Sequence, residues 1–205
     1  QAATITVTKT ADTNDGFCNE DCSLREAIAT ANSGDEINFD ATLFAVPQTI
    51  QLLDSANSTL LIDKNLTING TGANLLTIRG VTDAGIFKFR VFTISPGLTV
   101  HLKGLKITGG APHDDDGGGG ILTNGSLTTI TDCFVTENFS FRGAGGGIRN
   151  AGGTLTINNS TISGNNITGA DAFGGGLFAD VNGDISISGS TFSGNQPSSS
   201  FFFVM

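Results

Sequence analysis

The feature of the sequence that most constrains the fold is an imperfect repeat in the second half of the chain. Segments of similar pattern recur at spacings of 28, 27 and 30 residues. They begin at Leu102, Ile130, Ile157 and Ile187. Each of the last three follows a run of three glycines, at residues 118–120, 145–147 and 174–176. Because one such unit cannot bury its apolar face alone, a β repeat of this length is typical of a solenoid whose coils pack on one another.

The repeating unit favours a parallel β-helix over other solenoids. The units contain neither a helical pattern nor the dense leucines of leucine-rich repeats, and about 27 residues divide into three short strands and three turns. We therefore predict an all-β fold, a right-handed parallel β-helix of about five to six coils of 27–30 residues with one N-terminal capping helix. Neighbouring coils would lie about 4.8 Å apart, so that equivalent side chains form ladders along the stack.

The repeat predicts two apolar and two polar ladders. They are Leu102/Ile130/Ile157/Ile187, Ile107/Val135/Ile162/Phe192, Asn138/Asn165/Asn195 and Cys133/Ser160/Ser190. Each asparagine amide can bond its copies in the coils above and below as well as turn backbone groups, so we interpret that ladder as structural. Cys133 shares its ladder with two serines, which favours packing over a nucleophilic role.

Ahead of the repeat, one segment has a clear helical pattern. Ser23 followed three residues later by Glu26 is a capping box, which predicts a helix from Ser23 to about Asn32. Four apolar residues share one face of this helix, namely Leu24, Ala27, Ile28 and Ala31. A short helix with one apolar stripe must cover something, and we expect it to close the N-terminal end of the β stack.

Length and pattern together predict a single domain over residues 1–205. Its parts are an N-terminal strand, loop and capping helix in residues 1–35, β-helix coils in residues 36–196 and a C-terminal tail in residues 197–205. Alternating runs predict short strands outside the regular repeat, at residues 4–8, 36–39, 49–52, 66–68 and 76–78.

The charge balance excludes nucleic acid as a partner. Ten Lys and Arg against nineteen Asp and Glu give a net charge of −9, which repels phosphate backbones and anionic lipid surfaces. No run reaches the roughly 18 to 20 apolar residues of a transmembrane segment. The chain starts at Gln1, as expected of a mature secreted protein after removal of its signal peptide, although a recombinant start would look the same.

The three cysteines divide into a close pair and a single residue. Cys18 and Cys22 are near enough to close a small disulfide loop in an oxidising compartment, and two reduced thiols are the alternative. With the disulfide formed, Cys133 would be a buried free thiol.

A short motif lies at the start of the predicted helix, where residues 22–27 read Cys-Ser-Leu-Arg-Glu-Ala. This stretch resembles the N-terminal CSLREA domain of bacterial secreted and cell-surface proteins, in which a similar run precedes a parallel β-helix of the pectate-lyase-like or polymorphic-outer-membrane-repeat type. The likeness covers about the first 40 residues. It implies a secreted or cell-surface location and a helix-capped β-helix, and it implies no reaction.

Candidate functional residues lie in the variable loops before the triple glycines. These loops, residues 110–117, 139–143 and 167–173, are expected to stack on one rim of the solenoid. The candidate catalytic residues there are Asp115, Asp116, Asp171 and Arg142. The candidate substrate-binding residues are His113, Asp114, Phe139, Phe141 and Phe173. Carboxylates one or two coils apart would be separated by about 5 to 10 Å, which brackets the spacings used by retaining and inverting glycosidases.

The consecutive aspartates 114–116 have two further interpretations. With turn carbonyls they could hold Ca²⁺, the one cofactor that we consider, and a metal beside Arg142 could acidify a sugar proton in lyase chemistry. They are also typical of a solvated acidic turn, which is the commoner case because Asp beside Gly is ordinary turn material. Residues 12–16 are only slightly similar to a calcium loop, because they lack its full order and its final Glu.

These features lead to two hypotheses about function. The first is a secreted extracellular β-helix module, adhesin-like or structural, that binds polysaccharides or cell-surface polymers along one flat face or the loop rim. The alternative is a small polysaccharide-active enzyme, a glycoside hydrolase or a polysaccharide lyase, that uses the rim carboxylates.

The apolar tail at residues 201–205 is expected to fold across the last coil as a plug or to dock against a second chain as a homo-oligomer.

Overall fold

Short strands separated by tight turns make up most of the described chain. The structure, a computed structural model, describes residues 2–53, 59–80, 82–83, 86–87, 89–112, 114, 116–141, 143–169 and 173–197. In chain order the strands are β1 (Thr4–Val7), β2 (Asp35–Phe39), β3 (Gln48–Gln51), β4 (Leu60–Ile62), β5 (Leu66–Asn69), β6 (Leu76–Arg79), β7 (Thr82–Asp83), β8 (Ile86–Phe87), β9 (Phe92–Ile94), β10 (Thr99–Lys103), β11 (Lys106–Thr108), β12 (Ile121–Thr123), β13 (Ser126–Thr131), β14 (Phe134–Thr136), β15 (Phe139–Ser140), β16 (Ile148–Asn150), β17 (Gly153–Asn158), β18 (Thr161–Ser163), β19 (Asn166–Ile167), β20 (Leu177–Ala179), β21 (Gly183–Ser188), β22 (Thr191–Ser193) and β23 (Gln196–Pro197). The helical elements of this part of the chain are α1 (Leu24–Thr30) and a 3₁₀ turn at Leu43–Ala45.

Three parallel sheets run along the length of the stack. Sheet 1 has the order β1-β2-β5-β10-β13-β17-β21, sheet 2 the order β3-β6-β11-β14-β18-β22, and sheet 3 the order β4-β9-β12-β16-β20. A shorter sheet 4 contains β15, β19 and β23, and β7 and β8 form an antiparallel pair. The fold is thus a β-solenoid of about six turns, nearly all parallel, with one α-helix. This confirms the predicted fold class.

Both predicted apolar ladders are present and point into the core. In sheet 1, Leu102, Ile130, Ile157 and Ile187 pair in register from coil to coil. In sheet 2, Ile107, Val135, Ile162 and Phe192 do the same. Their side chains are fully buried until the last described coil, where Ile187 is 46% and Phe192 40% exposed. Each side chain of a ladder is therefore buried against the equivalent side chain of the next coil.

The predicted asparagine ladder is confirmed as a structural device. The amide nitrogen of Asn138 donates to the side-chain oxygen of Asn165 at 3.0 Å, and Asn165 donates in the same way to Asn195. The same nitrogen of Asn165 also donates to the carbonyl of Val135 at 2.8 Å. Each asparagine thus satisfies backbone groups at a corner of the coil while linking successive coils.

The predicted capping helix forms, but it is shorter than expected. Helix α1 ends at Thr30, and the backbone of Ala31 is already non-helical, with ψ at 144°. The predicted apolar face is buried in the core, and Ala31 still contributes to it although it lies beyond the helix. Because α1 contacts β1 and β4, it occupies the position that a sheet 3 strand would take one coil earlier.

Among the predicted strands, those of the first coils correspond to β1, β2, β3, β5 and β6 within a residue at either end. Strands β4 and β9 of sheet 3 were not predicted. Both are only three residues long, and neither follows a triple glycine, so the periodic pattern does not mark them.

The cysteines behave as the spacing suggested. Cys18 and Cys22 form a disulfide, which confirms that pairing, and Cys133 is a buried free thiol. Burial raises the pKa of Cys133 to about 12, so the thiol stays protonated and unreactive at neutral pH. Within the described residues, no helix is both long and apolar enough to cross a membrane.

Candidate functional site

The motif at residues 22–27 makes several hydrogen bonds, an ion pair and a disulfide within the N-terminal region. Ser23 caps α1: its hydroxyl oxygen accepts from the amide of Glu26 at 3.1 Å and donates to the carbonyl of Thr13 at 2.7 Å. Cys22 forms the disulfide, and Leu24 and Ala27 are buried in the core. The motif residues therefore fasten the loop 10–21 to the capping helix.

Glu26 is the buried electrostatic centre of this region. Its carboxylate accepts from the amides of Ser23 at 2.7 Å and Asp15 at 3.0 Å, and Lys9 Nζ lies 3.3 Å away. Burial alone would raise the pKa of Glu26, but these hydrogen bonds outweigh it and hold the pKa below its ordinary value. The carboxylate is thus a charged structural group and not a proton donor at neutral pH.

Arg25 is held in a bidentate ion pair with Asp12. The Nε and one terminal nitrogen of its guanidinium each lie 2.8 Å from a carboxylate oxygen of Asp12. The amide of Leu53 also donates to Asp12, at 2.9 Å. Since both oxygens of Asp12 have partners, this geometry argues against the weak calcium-loop likeness of residues 12–16.

The rest of that loop is closed by its own turns. The side-chain oxygens of Asn14 and Asp15 accept from the amides of Gly16 and Phe17 at 3.2 Å and 2.9 Å. In the part of the chain that the structure describes, no group of three or more His, Cys, Asp or Glu side chains is arranged to hold a metal ion.

The predicted catalytic rim is described only in part. Asp115, Asp171, Arg142 and the candidate binding residue His113 lie outside the described residues. Asp114 is described and is paired with Arg90, whose terminal nitrogen lies 2.7 Å from its carboxylate. The same oxygen accepts the amide of Asp116 at 3.2 Å. This carboxylate therefore anchors a turn and neutralises an arginine.

A second arginine on the rim was also missed from the sequence. Arg149 pairs with Asp180 at 2.9 Å, and its guanidinium donates to the carbonyl of Asp116 as well. The contacts Arg90–Asp114, Arg149–Asp180 and Arg149–Asp116 join residues that are 24, 31 and 33 apart. None of these separations equals a repeat spacing of 27, 28 or 30, so counting from the ladders could not reveal them. Among the candidate catalytic residues, the described Asp116 is an exposed turn residue.

The candidate aromatic residues fall into two ring contacts. Phe139 and Phe141 pack edge to face with ring centroids 4.9 Å apart. Phe173 is 58% exposed and lies 6.2 Å from the ring of Phe178. The structure thus brings the first two together and places the third beside a residue of sheet 3 that the sequence had not singled out.

The outward face of sheet 1 is rich in hydroxyl groups over its last three strands, and we call this area the hydroxyl face. Its members are the half-buried or exposed residues Thr129, Thr131, Thr154, Thr156, Ser186 and Ser188 of β13, β17 and β21. Thr129 pairs with Thr156, and Thr156 with Ser186, in exact coil-to-coil register. With coils about 4.8 Å apart, this row of hydroxyl groups is unbroken, and alternate rows lie about 6.6 Å to either side. One of those rows holds Leu127 and Asp184 on either side of Thr154, and the other holds Asn158 between Thr131 and Ser188.

An open cleft beside α1 is a separate feature that the sequence did not predict. It has a volume of about 700 Å³ and lies where α1 meets β4 and the segment leading into β9. Arg25, Lys64 and Arg90 line it together with one carboxylate, Asp63. Its floor includes Leu61, which is 51% exposed.

Comparison of the chain with protein-family models, with curated proteins and with solved structures found no match. The case for function therefore depends on the surfaces of this solenoid.

Proposed function

We propose that this protein is an extracellular binding module that holds a polysaccharide or cell-surface polymer along the hydroxyl face. The observation that carries the proposal is the in-register row Thr129/Thr156/Ser186 across β13, β17 and β21, with Thr154, Thr131 and Ser188 in the rows beside it. A polymer with repeating hydroxyl groups offers donors and acceptors at regular intervals, and each hydroxyl of the face can both donate and accept.

The scaffold behind this face supports binding by an ordered surface. Sheet 1 is continuous over seven parallel strands, and the inward side chains of β10, β13 and β17 are buried in the core, whereas those of β21 are partly exposed. Short Thr and Ser side chains on such a sheet lose little freedom when a ligand binds, which lowers the entropic cost of association. The chain contains no Trp and no Tyr, so hydrogen bonding replaces aromatic stacking as the means of recognition.

A secreted or cell-surface location is part of the same proposal. The Cys18–Cys22 disulfide is consistent with an oxidising compartment, where such bonds persist. The CSLREA-like motif supports that location by resemblance alone.

Two double variants on the same two coils test the proposal. Thr156→Arg with Ser186→Arg places bulky cations on the hydroxyl face, whereas Thr161→Arg with Thr191→Arg places them on sheet 2. We expect the parent to sediment with one or more insoluble polysaccharides, such as cellulose or chitin, and only the first variant to lose retention. Equal retention by both variants, or no retention of the parent by any polymer of the panel, would overturn the proposal.

The same panel of polysaccharides distinguishes an enzyme from a binding module. Release of reducing ends or of unsaturated products by the parent protein would identify a hydrolase or a lyase. A binding module retains the polymer and leaves its chain length unchanged.

A further inference from the structure

The cleft beside α1 combines positive charge with an apolar floor in an otherwise acidic protein. Arg25, Lys64 and Arg90 line it, and so does Asp63, the partner of Lys64. The carboxylates that pair with Arg25 and Arg90 belong to Asp12 and Asp114, which approach these arginines from outside the lining. The whole chain carries a net charge of −9, so this concentration of cations is local. We name these three residues and Leu61 the cationic cleft.

Arg90 is the cation of the cleft with unused hydrogen-bonding capacity. The residue is only 7% exposed, and one terminal nitrogen donates to Asp114 at 2.7 Å and to the carbonyl of Gly117 at 2.8 Å. Its Nε is buried and has no hydrogen-bond partner among the described residues. A buried guanidinium N–H without an acceptor is unfavourable. An anionic oxygen in the cleft would relieve it once the Arg90 side chain turns toward the cleft, since the Nε is closed to solvent in this structure.

Lys64 is fixed on the wall formed by α1. Its ammonium donates to the carbonyls of Ile28 and Ala29 at 3.2 Å each, so the last turn of the helix positions it. Its carboxylate partner, Asp63, lies 3.4 Å away and is 59% exposed. Exposed ion pairs of this kind are weak, so a ligand anion can compete for the ammonium.

From this arrangement we infer that the cationic cleft binds an anionic oxygen group, a sulfate or a carboxylate, carried on a sugar ring. The charged oxygens face Arg90 and Lys64, and the C–H face of the ring covers Leu61. A volume of about 700 Å³ is in the range of small-ligand sites. For the sugar carrier, but not for the anion site, this inference rests on the proposed glycan binding.

The test compares charged and neutral polymers on matched variants. Dextran sulfate and hyaluronate are the charged probes, dextran is the neutral probe, and inorganic sulfate is the free anion. Lys64→Gln and Arg90→Gln remove cations from the cleft. Lys106→Gln and Arg149→Gln are controls that remove cations elsewhere, and Arg149, like Arg90, pairs with one aspartate. Circular dichroism checks the fold of each variant, and Lys64→Gln alone suffices if Arg90→Gln does not fold.

We expect the parent to bind a charged polymer more tightly than dextran, and the cleft variants to weaken that binding by about tenfold while the controls leave it unchanged. Equal affinity for charged and neutral polymers, or equal loss in cleft and control variants, would overturn the inference and leave the proposed function standing. A third outcome is that inorganic sulfate stabilises the parent protein, that Lys64→Gln abolishes this stabilisation, and that no polymer binds. This outcome would support the anion site and refute the sugar as its carrier. Binding of no probe at all would refute the inference entirely.

Discussion

At the residue scale, the burial of an ion pair decides how much the pair contributes to the stability of the fold. The side chain of Asp12 is 1% exposed and that of Arg25 15%, whereas Arg149 and Asp180 are 21% and 28% exposed. Removing one partner of a covered pair leaves an uncompensated charge in a poorly solvated place. The pair in the capping region should therefore matter more for folding than the pair on the rim.

We predict that Arg25→Ala lowers the free energy of unfolding by about 3 kcal/mol, because Asp12 then loses its bidentate partner. The matched change Arg149→Ala should cost less than about 1 kcal/mol, because its pair is closer to solvent. Urea unfolding of both variants measures the two values. Similar small losses in both would show that the contact with Asp12 is not a stability determinant.

Glu26 makes the stability depend on pH. Although burial would raise its pKa, hydrogen bonds from Ser23, Asp15 and Lys9 lower the pKa in the folded state. The stabilisation is therefore complete above the unfolded pKa of about 4.3 and is lost as the pH falls through the lower folded value. Hydrogen bonds from the amides of Ala3 and Asn32 lower the pKa of Asp35 and give the same sign.

We predict that Glu26→Gln reduces stability at neutral pH and flattens the loss of stability between about pH 5 and pH 3, with a residual slope from Asp35. The exposed residue Glu36 provides the control variant Glu36→Gln. Denaturant unfolding at a series of pH values gives the slopes. A slope for Glu26→Gln identical to that of the parent would be evidence that this carboxylate is not the titrating group.

At the scale of the element, α1 depends on its buried face more than on its length. The helix spans only Leu24–Thr30, and an isolated helix of this size is unstable in water. The capping box and the packing of Leu24, Ala27 and Ile28 against β1 and β4 therefore hold it in place.

We predict that Leu24→Ala costs about 2 to 4 kcal/mol, because it leaves a cavity between the helix and the first coil. Thr30→Ala on the exposed side of the same helix should change stability by less than about 0.5 kcal/mol. Thermal and urea unfolding report both. Unfolding curves of Leu24→Ala that overlay those of the parent would refute the packing of the cap.

Some of these elements and contacts are predictable from the sequence, and others are not. The ladders through Ile130 and Asn165 were predictable, because even an imperfect repeat puts similar residue types at equivalent positions in successive coils. Strands β4 and β9 were not, since the irregular early coils carry no repeated marker. The pair Arg90–Asp114 joins residues 24 apart through a variable loop, and loop lengths obey no period. The cationic cleft combines parts of α1, β4 and β9, so its residues converge only after folding.

At the scale of the whole molecule, the stack has two unlike ends. The cap buries the first coil, whereas the inward side chains Ile185, Ile187 and Phe192 of the last described coil are 38%, 46% and 40% exposed. An uncovered apolar cross-section with free strand edges promotes aggregation. The apolar residues 201–205, which lie outside the described residues, follow this coil in sequence and remain the predicted cover.

We predict that deleting residues 201–205 lowers the melting temperature or causes aggregation, because this tail is the cover that we expect for the exposed apolar side chains of Ile187 and Phe192. Sedimentation velocity of the parent distinguishes a plug within one chain from docking between two chains. A truncated protein that keeps the parent's mass and melting temperature would contradict both versions.

The central claim, that a polymer lies along the hydroxyl face, is tested most directly by the NMR signals of threonine methyl groups during titration with a soluble glycan that the parent binds. The methyls of Thr129, Thr131, Thr154 and Thr156 lie on the hydroxyl face, while Thr161 and Thr191 lie on sheet 2 of the same solenoid. The account predicts shifts that saturate in the first group and leave the second unchanged. Shifts confined to Thr161 and Thr191, or to neither group despite binding, would contradict it.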